Sequence, residues 1–397
     1  MKDILMIVHT MGNLLPSDND RFTYLAKKIL ESGASVEIVT SDFEHHKKRY
    51  REMGITELHP FKITFLHEDF YNKNISFMRI KGHASFAVRL NDYLKKRKRP
   101  DVIYCAVPPI VSAWIVAKYA NRNKIRFVID VQDLWPETFT IALGDGIIAH
   151  MLLKPLDLIA NKVYKSADAI IAVSKTYVKR AAKVNKKAKI KESVLLGTDG
   201  KIVDEIIDAF HEEEVNKEFI VGYVGNLGKS YDFLNVFKAL SLLKIRGINN
   251  IKFILIGDGD ERQRVEELSK RYFENIEITG YLPYEKMFIE LLKCDIVINP
   301  IVKDSASSIV NKVGDYAAAG KAVINTQASN EYRSMVRKYN IGFNTTPEDS
   351  VSIAHSILSL YNDRFLCKEM GRNNRKVFDK FFDRSRTYQE IVDIILA

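Results

Sequence analysis

Cysteine is scarce in this chain, with three residues, Cys105, Cys294 and Cys367, among 397. They are far apart and odd in number, which excludes a disulfide framework or a zinc ribbon and fits a reducing compartment. Long apolar runs are also missing. Nowhere do about 18 uninterrupted apolar residues follow one another, so no membrane-spanning helix is expected. The first apolar run, Ile4–Val8, is short and flanked by Asp3 and His9, unlike a secretion signal. There is no Walker loop, no GxGxxG fingerprint, no short-period repeat and no low-complexity tract.

What is present is ordinary globular composition, 46% hydrophobic and 28% charged, enough for two or three domains. The net charge of +10 is unevenly placed. Residues 1–200 carry 33 basic and 21 acidic side chains, whereas 201–397 carry 27 and 29. An anionic partner is therefore expected on the first half.

Short β-branched runs alternate with longer amphipathic stretches, the pattern of parallel βαβ units. In the first half the strands are placed at Ile4–His9, Val36–Thr40, Ile63–His67, Val102–Ala106, Phe127–Val131, Ala169–Val173 and Ser193–Leu196. In the second half they are Phe219–Val224, Lys252–Ile256, Ile276–Thr279, Ile296–Asn299 and Ala322–Asn325. Helices are expected over Arg21–Ser32, Phe86–Lys98 and Arg386–Ala397. The polar stretch 208–218 reads as a linker between an N-terminal domain, 1–207, and a C-terminal domain, 219–380. Residues 381–397 form a C-terminal helix that packs back on the first domain.

Open parallel sheets bind ligands outside the carboxyl ends of their strands. There the second half offers three glycine turns, at Gly225-Asn226-Leu227-Gly228, Gly257-Asp258-Gly259 and Gly280-Tyr281-Leu282-Pro283. The first half offers one, Gly12-Asn13. Glycine lets backbone N–H groups approach a phosphate closely, so a nucleotide held mainly by the second half fits best. Each turn taken alone is equally compatible with tight packing and no ligand.

The ordered series Gly225–Ser230, Ile256–Gly259, Thr279–Leu282 and Asn311–Lys321 resembles the donor domain of family 4 retaining glycosyltransferases. Asp130–Glu137, Ala167–Ser174 and Leu196–Asp199 resemble segments of the same family's first domain. The resemblance implies an α/β chain of GT-B architecture: two Rossmann-like doubly wound domains facing across a cleft. Its flavour is that of enzymes of capsule, exopolysaccharide or O-antigen assembly.

The resemblance further implies a nucleotide-diphospho-sugar donor, UDP-linked by preference, a lipid-linked saccharide acceptor, and transfer with retention of configuration. No cofactor and no metal are expected. Asp315 takes the place of the carboxylate that holds the ribose hydroxyls. Ser307 stands where the family has a glutamate, and Ser308-Ile309-Val310 offers backbone N–H groups to the diphosphate. Lys229 and Lys312 are the candidates for neutralising the departing diphosphate, and Asn226 occupies an arginine-like position. Asn226, Gly228, Asp258 and Tyr281 complete the second-half set, with Tyr281 near the base. In the first half Gly12 and Asn13 fill the glycine-pair position. Gln132-Asp133 lies where many members have a histidine, and Asp133 either orients the acceptor or caps a turn. His45 and His46 are acceptor-side candidates or part of an exposed basic loop.

The clusters Lys95–Arg99 and Lys179–Lys191 suit an anionic membrane surface at the inner face of the cell membrane, or a solvated basic face. The stretch Ile147–Ala160, with Leu152, Leu156 and Ile159 on one side, reads as a core helix or an interfacial one. Positive charge is the sole support for nucleic acid, which is not expected as a partner. Two rivals remain open: a nucleotide-sugar epimerase of the same fold, and a non-catalytic partner protein.

Overall fold

A computed structural model describes residues 1–397 except 13, 16–18, 46, 74–75, 140–145, 212–217, 304 and 306–307, and the side chains of 53, 149 and 150. The chain divides into two compact units, Met1–Leu195 with Thr387–Ala397, and Leu196–Arg386.

The first unit is built on a seven-stranded parallel sheet. In spatial order its strands are Lys62–Leu66, Ser35–Ser41, Asp3–Ile7, Val102–Val107, Arg126–Val131, Ala169–Ala172 and Ile190–Ser193. The order reverses at Asp3–Ile7, which makes the carboxyl end of that strand a topological switch point. Asp3–Ile7 and Val102–Val107 are buried almost throughout, as expected for central strands covered on both faces. The helix Arg21–Glu31 begins at Asp20, whose carboxylate accepts from the amides of Phe22 and Thr23. The last helix, Arg384–Leu396, sends Tyr388, Ile391, Val392 and Ile395 into this unit's core.

The second unit has a six-stranded parallel sheet in the order Ile276–Gly280, Ile251–Ile256, Phe219–Val224, Ile296–Asn299, Ala322–Asn325 and Gly342–Asn344. Its order also reverses, at Phe219–Val224. Each unit is therefore a Rossmann-like doubly wound domain, and the fold class is the expected α/β one. Among the described residues no helix is long and apolar enough to cross a membrane.

Several details differ from the sequence expectation, among them the strand Gly342–Asn344, which it did not place. The last strand of the first sheet is Ile190–Ser193, not Ser193–Leu196, because its register runs Ala169 to Ile190 and Ala172 to Ser193. The helix foreseen from Phe86 starts at Phe77, where the Ser76 hydroxyl caps the Arg79 amide. The chain divides at Leu195, not at 207. Thr198 and Gly200 are tied to residues of the second unit, the Phe382 carbonyl and the Asp383 carboxylate, and Gly200–Ala209 is helical. Of the expected linker, residues 212–217 lie outside the described residues. Finally, Leu152 is 67% exposed, while Leu153, Ala160, Val163 and Tyr164 form the buried line of the helix Ile147–Ser166. Leu152 is therefore not on its core face, and Leu156 and Ile159 are half-buried beside the buried line.

Candidate functional site

The second unit gathers most of the expected residues at the carboxyl ends of its strands. The Gly225 and Gly257 turns lie backbone against backbone. A Cβ on Gly257 would sit 1.9 Å from the Gly225 carbonyl oxygen, and its φ of +148° is a conformation that side chains rarely adopt. A Cβ on Gly225 would meet the Lys312 amine at 2.9 Å. Gly225 thus leaves room for the lysine, and Gly257 for the Gly225 backbone.

Lys312 opens the short helix Lys312–Ala318 and is only 7% exposed. Its Nζ lies 3.8 Å from the ring centroids of both Tyr223 and Tyr231, and no hydrogen-bond acceptor reaches it. Burial pushes its pKa well below the ordinary lysine range. Two ring faces partly replace lost hydration, but a buried amine without an acceptor is costly. Such a group is poised for an anion that supplies the missing oxygens.

One turn along the same helix, the half-buried Asp315 accepts a hydrogen bond of 3.0 Å from the Tyr284 hydroxyl. Tyr284 in turn pairs with the Thr198 hydroxyl at 2.7 Å. Burial pushes the Asp315 carboxyl up to about 6, against the Tyr284 hydrogen bond and the nearby Arg384, which lower it. Ser308, 2% exposed, donates to Glu331 at 2.9 Å. Ile309 is half-buried beside it, and Ser307 lies outside the described residues.

The remaining second-unit candidates are looser. Lys229 is exposed and lines a cleft of about 260 Å³ with Gly228, Tyr231, Arg264 and Glu348. Asn226 is exposed, and its backbone carbonyl accepts from the Tyr223 hydroxyl at 2.7 Å. Tyr281 is 66% exposed. Asp258 is committed to the Gly259 amide at 2.8 Å and to Arg262 at 3.2 Å. With Asp260 it forms an Asp-x-Asp pair one residue beyond the strand Ile251–Ile256, a correction to the expectation that no such pair stands at a strand end.

The sequence offers Asn299-Pro300 as a strand end, but not the row of buried and half-buried amides that Asn299 belongs to. Asn299, Asn325 and Asn344 close three adjacent strands, linked Asn299 to Asn325 at 3.0 Å and Asn325 to Asn344 at 2.8 Å. The repeated strand-final asparagine was a visible signal. Asn299 Oδ1 is buried without a partner.

In the first unit, Arg51 holds the loop after the first strand, donating to the carbonyls of Met11 at 2.7 Å and Gly12 at 2.8 Å. Asn13 and His46 lie outside the described residues. Asp133 accepts from the Leu134 amide at 2.8 Å and the Thr138 hydroxyl at 2.9 Å, so one oxygen caps its own turn. Burial raises its pKa above the usual carboxylate value. Gln132 accepts from Arg21 at 3.0 Å, and Arg21 pairs with the buried Asp130 at 2.8 Å. His45 meets the Tyr71 hydroxyl at 2.7 Å.

The basic clusters are less solvated than their sequence suggests. Arg97 turns inward to Glu37 at 2.7 Å and Asp3 at 2.8 Å. Arg180 binds Asp157 at 2.6 Å and also Glu137. Most of the surrounding lysines remain exposed, and Phe77, Ile80, Ile147, Ile148, Met151 and Leu152 are exposed apolar residues of the same unit.

Comparison with known proteins agrees with this picture. Residues 19–190 match the model of the glycosyl transferase 4-like domain, and residues 204–377 match that of glycosyl transferases group 1. An uncharacterized glycosyltransferase of Methanocaldococcus jannaschii, MJ1069, is 24% identical over 245 residues, covering 58% of this chain and 59% of the relative. The putative glycosyltransferase EpsD of Bacillus subtilis is 22% identical over 180 residues, 45% of this chain and 46% of the relative. The chain thus spans about half the length of the curated relatives it matches. The crystal structure of Anabaena Alr3699/HepE in complex with UDP and glucose superposes with a TM-score of 0.71 at 16% identity, covering 99% of both chains. The fold is therefore the GT-B type.

Proposed function

We propose, from the pairing of a glycosyl transferase 4-like domain with a group 1 domain in one chain, that this protein is a glycosyltransferase that moves a sugar from a nucleotide-diphospho-sugar to an acceptor hydroxyl. The observation that carries the reading is the buried, acceptor-less Lys312 one helical turn from the half-buried Asp315. A lysine that needs anionic oxygens and a carboxylate that accepts from hydroxyls, so spaced, suit a diphosphate joined to a ribose.

The mechanism follows from where charge develops. As the bond to the anomeric carbon lengthens, the sugar gains oxocarbenium character and the leaving diphosphate gains negative charge. Lys312, held between two tyrosine rings, stabilises that charge from a fixed position and without reorganisation. Lys229 and the amides of 308–310 supply further donors to the diphosphate. Asp315, ionised above about pH 6, accepts from the ribose hydroxyls. Tyr284, whose hydroxyl already points at Asp315, fixes the carboxylate plane.

The finer assignments belong to the same proposal: a UDP-linked hexose, retention of configuration, no metal at the diphosphate, and a lipid-linked saccharide acceptor. The exposed apolar residues at Phe77–Ile80 and Ile147–Leu152, among lysines, support docking on an anionic membrane surface. Surface polysaccharide assembly is the setting that fits such an acceptor.

A thermal-shift panel of UDP-, GDP-, ADP- and dTDP-sugars identifies the donor base, and a transfer assay with lipid-linked acceptors follows. Sugar transfer that requires an acceptor is the expected result. Conversion of the donor without acceptor would assign an epimerase instead. An absence of turnover, with Lys312→Ala and Asp315→Ala without effect on function, would assign a non-catalytic partner.

A further inference from the structure

Independently of that reading, we propose that the first unit binds one divalent transition-metal ion of the zinc class through His9, Glu68 and His83. The three come from separate elements that meet at the sheet's switch point. His9 follows the central strand Asp3–Ile7, Glu68 follows the strand Lys62–Leu66, and His83 lies on the helix Phe77–Lys96. All three are buried, and one ligand atom from each lies within 4.8 Å of the others.

The arrangement has the parts of a metal site. His9 Nε2 is 3.1 Å from Glu68 Oε2, and His83 Nε2 is 3.9 Å from Glu68 Oε1. Four-coordinate zinc, with bonds of about 2.0–2.1 Å, sets its ligand atoms roughly 3.3 Å apart, so ligand atoms now within 4.8 Å of one another need to draw in by about 1.5 Å or less. His9 Nδ1 sits 3.0 Å from the Ser112 hydroxyl, which can accept from Nδ1–H and so leave Nε2 to the ion. Phe86 stacks on His9 at 3.8 Å and Trp135 on His83 at 6.0 Å, giving an apolar wall.

Two atoms are otherwise unexplained. Glu68 Oε1 and His83 Nε2 are both buried and without a hydrogen-bond partner. Orphaned buried polar atoms are rare in folded proteins, and an ion between these two answers both. Gly82 is what allows the approach. A Cβ there would lie 2.7 Å from the Asp69 carbonyl and 3.3 Å from Glu68 Oε1, so any other residue would push the helix off the loop. Two imidazoles with one carboxylate select a borderline ion such as Zn(II) over Mg(II) or Ca(II). The ion then clamps the helix Phe77–Lys96 and Trp135 to the end of the central strand.

The test uses the full chain without an affinity tag, stripped with a chelator, re-equilibrated with Zn(II) and desalted before metal analysis. One equivalent of zinc per chain is expected, and Co(II) in its place should give the intense visible bands of a four-coordinate site. Glu68→Gln and His83→Gln keep side-chain size and should each weaken zinc binding at least about 100-fold, with circular dichroism confirming that they fold. Zinc well below one equivalent in the parent chain, or full zinc in both folded variants, overturns the proposal. Should one variant not fold, the other decides, and Ser112→Ala should weaken binding by about 10-fold.

Discussion

Lys312→Met is the most discriminating substitution, because it should separate binding, which falls, from stability, which stays near the parent's or rises. Methionine nearly matches the lysine's length and shape, so the space between Tyr223 and Tyr231 stays filled. The buried amine has no acceptor, a condition that costs about 1–3 kcal/mol. Against this, the two ring contacts return about 0.5–2 kcal/mol. The variant should therefore lie between about 1 kcal/mol less stable and about 2.5 kcal/mol more stable than the parent. For a unit of this size that is a melting shift of roughly −4 to +10 °C. A charge-assisted contact to phosphate is worth about 1.5–3 kcal/mol, so affinity for the nucleoside diphosphate should fall by roughly 10- to 150-fold. Melting curves and calorimetric titration with UDP and GDP check both halves. A variant that is destabilised by more than about 1 kcal/mol yet binds every diphosphate as the parent does would refute the reasoning, and would make Lys312 a packing residue.

Four further outcomes are expected. Donor affinity should weaken as the pH falls through about 6, because Asp315 must be ionised to accept from a ribose; Asp315→Asn should flatten that profile in titrations between about pH 5 and 8. The stability linkage runs oppositely: a carboxyl raised in the folded state contributes most below its unfolded value and loses that contribution as the pH rises through 6, so the stability of the chain without nucleotide should decline across this window. Gly257→Ala forces a methyl to within 1.9 Å of the Gly225 carbonyl at a φ of +148°, and should cost about 3 kcal/mol or more in a denaturation experiment. Arg21→Met leaves Asp130 buried with no cation, at a cost of about 3–5 kcal/mol, and adding Asp130→Asn should recover at least half of it, as a double-mutant cycle would show.

The sheets were legible because each central strand is a compact β-branched run between turn residues, as Ile296–Asn299 and Ala322–Asn325 show. Gly342–Asn344 escaped because three residues carry no period, and its strand identity comes from pairing with Val323–Asn325. At the site, Lys312 and Asp315 stood out through an ordered motif, but the motif says nothing of their surroundings. The tyrosine pair around Lys312 comes from positions 223 and 231, and the partner of Asp315 from position 284. Only the closed sheet brings these together. His9 shows the limit most sharply. In sequence it is merely the polar residue that ends an apolar run. In the fold it is 2% exposed, stacked on Phe86, and joined to Glu68 and Ser112 across separations of 59 and 103 residues. Local pattern identifies the strand ends where chemistry gathers, but contacts of that sequence separation decide which polar residue there is free for a ligand and which is already paired.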